Sequence, residues 1–120
     1  MELCQHPFGP DATDDEREAI ANRVFTLGER LVFMHELPVQ SPFSVNLMFD
    51  RMELLARNWA RFAYVADLTE AKRPDAETRA ALKARVGRLV PRVAHVAVVV
   101  GDNLLMRAMA RLFAFNMGLA

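Results

Sequence analysis

Two apolar runs, Phe62–Leu68 and His95–Val100, each break off into a polar corner that opens a helix, and this repetition limits the chain to few folds. Between them lie a turn and a helix-length stretch, far too much chain for a hairpin. The runs are therefore predicted to be parallel strands joined by a right-handed crossover. Their nearly unbroken apolar character predicts strands covered on both faces. The first corner, Asp67 to Thr78, is the more polar; the second is Gly101-Asp102-Asn103.

Upstream, Val24–Leu27 and Leu31–Leu37 are β-rich runs separated by Gly28-Glu29-Arg30, the spacing of a hairpin with glycine in the turn. In the second run Leu31, Phe33 and His35 alternate with Val32, Met34 and Glu36, so its far end is expected to turn polar as it leaves the core. Ser41-Pro42 places a capping side chain and a first-turn proline at the start of a helix. There Val45, Met48, Met52, Leu55 and Trp59 form one stripe, widened by Phe49 and Ala56, with Asn46, Asp50 and Arg57 on the solvated side. Thr13 to Glu16 reads TDDE, a capping box that predicts a short helix from Asp14 to about Asn22.

After the first corner, a helix opening near Asp75 is expected to bury Leu82, Val86, Leu89, Val90 and Val93, leaving Arg85, Arg88 and Arg92 as a solvated cluster; Pro91 bends or ends it. A last helix from Leu104 to about Met117 carries a core stripe of Leu105, Met106, Met109, Leu112 and Phe113. A second stripe of Leu104, Ala108 and Phe115 lies beside Arg107 and Arg111, which marks a surface for a dimer, partner or lipid contact. The predicted fold is α/β: a four-stranded mixed sheet, the N-terminal hairpin plus two parallel strands, covered by three to four helices. Residues 1–12 are read as an extended arm and 13–120 as one domain.

Fifteen basic residues balance fifteen acidic ones, which argues against a general nucleic-acid binder. The apolar runs fall far short of the ~20 residues of a membrane span, and no signal pattern opens the chain, so a cytoplasmic protein is expected. The lone Cys4 cannot close an internal disulfide, and Cys4 with His6 gives too few ligands for a metal site. No glycine-rich phosphate loop, nucleophile elbow or zinc motif occurs, so neither a cofactor nor catalysis is expected. In an open α/β sheet, ligands and partners meet the carboxyl ends of parallel strands. Asp67, Thr69, Asp75, Thr78, Asp102 and Asn103 map to that rim, although Asp75, Thr78, Asp102 and Asn103 are explained as well by helix capping and turns.

The stretch FAYVADLTEAKRPDAETRAAL, followed by HVAVVVGDN, resembles the STAS-like fold of anti-sigma-factor antagonists, of the cytoplasmic parts of sulphate transporters and of small bacterial proteins of unknown role. The resemblance implies a protein-interaction module. In the antagonists the equivalent loop ends in Asp-Ser, and a partner kinase phosphorylates the serine. Here the pair is Asp75-Ala76; the nearest hydroxyl is Thr78, so the resemblance comes without its phosphoswitch. The expected function is a non-catalytic STAS-like regulatory module binding a protein partner through this corner, with a homodimer through the last helix. A carrier of lipid-like ligands, whose layout resembles lipid-exchange domains, and a homo-oligomerisation domain are the alternatives.

Overall fold

The computed structural model describes residues 7–101. Along them run α1 (Asp14–Ala21), β1 (Val24–Thr26), β2 (Leu31–His35), α2 (Pro42–Leu55), β3 (Phe62–Asp67), α3 (Ala76–Leu89), a 3-10 turn (Val90–Arg92) and β4 (Val93–Val99). Cys4 and His6, the second corner with Asp102 and Asn103, and the stripe of Leu104, Ala108, Arg111 and Phe115 lie outside the described residues.

The four strands form one mixed sheet in the order β1-β2-β3-β4. β1 and β2 are antiparallel, while β2, β3 and β4 run parallel, so the expected α/β architecture is present. Each strand lies beside its predecessor, and crossovers of one hand then place α2 and α3 on the same side. The packing agrees: α2 contacts both α1 and α3.

Among the described residues, the helices cover one face of this sheet. In β3, Phe62, Tyr64 and Ala66 are buried under the helices, while Ala63, Val65 and Asp67 on the other face are half-buried. β4 exposes His95, Ala97 and Val99 on that second face, Val99 at 43%. Phe25 and Phe33, opposite each other in the hairpin, stack there at 5.1 Å. An apolar run can thus mark a sheet whose second face the described helices leave uncovered.

Local chemistry sets the element ends. Thr13 and Glu16 close the expected capping box, Thr13 Oγ1 accepting from Glu16 N at 3.1 Å and Glu16 Oε1 from Thr13 N at 2.9 Å. Gly28 supplies the left-handed turn of the hairpin at φ 78°, followed by Arg30 at φ 60°. Ser41 caps α2 by accepting from Ser44 N at 3.1 Å, and its hydroxyl donates to the carbonyl of Phe8. That bond docks the segment read as an arm: Phe8 is 6% exposed and belongs to the core. Ser41→Ala removes both roles and is expected to lower the unfolding free energy by about 2 kcal/mol in urea denaturation.

Of the arginines predicted as a solvated cluster, Arg88 is exposed as expected, Arg92 in the 3-10 turn is half-buried and Arg85 departs from it. Arg85 is buried, with its guanidinium 2.8 Å from Asp50 Oδ1, 3.1 Å from Asn46 Oδ1 and bonded to the Glu53 carboxylate. Arg88 reaches Glu53 at 2.9 Å, and Arg92 donates to the carbonyls of Ala56 and Trp59 beyond the end of α2. Asn46 and Asp50, read as a solvated side, therefore border α3, because α2 has helices on two flanks as well as the sheet beneath it. Val90, predicted as core, is 38% exposed. The helix tightens there into the 3-10 turn that holds Pro91, and the 100° spacing behind the predicted stripe no longer applies.

Candidate functional site

The carboxyl ends of β2 and β3 meet in a rim built from the α1–β1 link, the β2–α2 loop and the loop from Leu68 to Asp75. Main-chain bonds lock the loops together. Glu36 N donates to Asp67 O at 3.0 Å, Lys72 N to Pro38 O at 2.9 Å and Leu68 N to Val99 O at 2.8 Å. Within the corner, Asp67 Oδ1 accepts from Thr69 N at 3.0 Å, and Asp75 Oδ1 accepts from Thr78 N at 2.8 Å as the cap of α3.

These bonds set the carboxylates. Desolvation pushes Asp67 upward, but the N–H and hydroxyl of Thr69, with His35 and Arg23 nearby, outweigh it and hold the carboxyl below its ordinary value. The hydroxyl and then the N–H of Thr78 do the same for Asp75, against slight desolvation and with help from Arg79. Both aspartates are thus ionised over the physiological range, and each already serves a turn or a cap.

Of the predicted site residues, Thr69, Asp75 and Ala76 are exposed, Asp67 is half-buried, and Thr78 is 0% exposed and offers no surface contact. Residues that sequence reasoning passed over complete the rim. Arg23, just after α1, donates to the carbonyls of His35 at 2.8 Å and Glu36 at 3.0 Å, and its guanidinium lies 3.4 Å from Glu70 Oε2. His35 Nε2 approaches the same Glu70 oxygen at 3.3 Å. One carboxylate thus ties the corner loop to the hairpin.

Glu36 corrects the expectation that β2 turns polar on leaving the core. It is 1% exposed, and its Oε1 accepts from the N–H of Leu37 at 3.0 Å. Burial raises its carboxyl to about 7, against the lowering effects of the Leu37 N–H and Arg23. Burial, and then Glu36 itself, pushes the Tyr64 hydroxyl up. The signal was in the sequence: Glu36 shares the alternation of Val32 and Met34, which puts its side chain on the helix-covered face.

Among the described residues no group of three or more His, Cys, Asp or Glu is placed to hold a metal ion, and no helix is long and apolar enough to cross a membrane. Comparison with family models, with curated proteins and with solved structures finds no match.

Proposed function

We propose that the chain is a non-catalytic, STAS-like regulatory or interaction module that meets a protein partner through the rim around Thr69 and Asp75. The observation that supports this most is that the rim is both exposed and locked. Thr69, Glu70, Lys72, Arg73 and Asp75, with Ala76 at the start of α3, are exposed, and the loop's backbone is held by bonds to the β2–α2 loop, β4 and its own aspartates. A preordered surface loses little conformational freedom on association, which favours partner binding. Ala76 at the position of the family's serine makes binding without a serine phosphoswitch the expected mode.

A photo-crosslinking side chain at Thr69 tests the reading, because Thr69 is exposed and its substitution keeps the N–H that Asp67 Oδ1 accepts. In cells it is expected to capture a discrete partner that the same probe at Leu54, 51% exposed on α2, does not. Charge reversal at Arg73 should weaken that capture at least tenfold. Identical products from both probe positions would count against the rim. The apolar face that the described helices leave uncovered favours a second reading, homo-oligomerisation, and a probe at Phe25 that captures a second copy of the chain would support it.

A further inference from the structure

Arg23 is the only cation bonded to both sides of the hairpin-to-corner junction among the described residues. Its guanidinium holds two main-chain carbonyls of the β2 end and lies against the Glu70 carboxylate, with the side chain 16% exposed. Glu36 sits on the same junction: its own carbonyl is one of those two, its carboxyl is buried, and the one hydrogen bond that carboxyl makes among the described residues comes from Leu37 N.

A buried carboxylate needs a counter-charge or more donors. The charged or titratable groups bearing directly on Glu36 are Arg23, from the α1–β1 link, and Tyr64, from β3. His35, Asp67 and Glu70 stand one contact further out. Of these Tyr64, Asp67 and Glu70 offer no positive charge, and His35 is committed to Glu70. Arg23 is the group able to answer a charge on Glu36.

We propose that Glu36 and Glu70 compete for the guanidinium of Arg23, so that charging Glu36 draws Arg23 inward and releases Glu70, and with it the loop from Leu68 to Asp75. The Nε bond to His35 O stays in place and acts as the pivot, while the Nη2 end, which serves Glu36 O and faces Glu70, turns towards the Glu36 carboxyl, so the change is a reorientation of one side chain. Burial, which raises the Glu36 carboxyl to about 7, places the transition near neutrality. The device belongs to the isolated chain and stands whether or not the rim meets a protein.

Carbon-13 and nitrogen-15 NMR of the full chain from pH 5.5 to 8.5 tests it. The Glu36 carboxyl carbon is expected to titrate with a midpoint near 7, and the Glu70 carboxyl and the amides of Thr69 to Ala71 to follow the same curve. Histidines as a class change charge near neutrality, so His35→Gln is the control. The loop response should persist in His35→Gln and vanish in Glu36→Gln, which keeps the acceptor for Leu37 N and whose remaining amide spectrum reports that it folds. By reciprocity, Glu70→Gln should lower the Glu36 midpoint by about half a pH unit, a threefold change in proton affinity. A loop response that survives Glu36→Gln, that disappears in His35→Gln, or a Glu36 midpoint unmoved by Glu70→Gln would overturn the proposal.

Discussion

Glu36→Gln is expected to raise the unfolding free energy at pH 8 by about 3 kcal/mol and to leave it nearly unchanged at pH 4.5. Burial raises the Glu36 carboxyl from 4.5 to about 7, so the native state prefers it protonated. Below pH 4.5 both the folded and the unfolded chain hold that proton, and the group costs nothing. Between 4.5 and 7 the unfolded chain gives it up first, and stability falls with rising pH. At about 1.4 kcal/mol for each pH unit between the two values, the loss is close to complete just above neutrality. Glutamine keeps the acceptor for Leu37 N and carries no charge, so this share of the pH dependence disappears. Urea denaturation of both proteins at pH 5, 6, 7 and 8 checks it; parallel stability curves for the two would refute the assignment.

The second large effect lies on the helix side. Arg85→Ala is expected to destabilise the protein by about 3 kcal/mol, at the low end for a broken buried pair because Glu53 keeps 25% exposure. The Arg85 side chain is 8% exposed, and its guanidinium serves Asp50, Glu53 and Asn46 together and lies 5.8 Å from the ring centre of Phe49. Its removal leaves Glu53 facing α3 with only the exposed Arg88 as partner. Asp50→Ala is the comparison, expected to cost less than about 1 kcal/mol because that side chain is 67% exposed and screened by water. Equal effects from the two substitutions would show that burial does not set the strength of the network.

The elements were legible because their punctuation is chemical. Thr13-x-x-Glu16, Ser41-Pro42, Gly28 and Asp75 each mark a boundary through a bond that the backbone needs, and each boundary fell within a residue or two of its expected place. What the sequence could not convey was which flank of an element meets another. Arg85 and Asp50 both look like surface residues along their own helices, and only the side-by-side packing of α2 and α3 brings them together. Thr78 was read as a hydroxyl of the rim, yet the third residue of a helix lying on a sheet turns inward once the cap is set. The Arg23–Glu70 contact joins residues far apart in the chain and follows from no local pattern.

The sheet order has a consequence for how the molecule forms. Strand order equals chain order, so no strand waits for a later one to be placed between itself and its neighbour. Each new helix-and-strand unit adds to an existing edge across a single crossover, as between Leu31 and its partner Ala63. Pairing only with the preceding strand allows assembly to follow synthesis from the N-terminal side, with each parallel pairing waiting for a whole crossover to close. The hairpin and α2 can serve as the template on which β3 settles, and β3 as the template for β4.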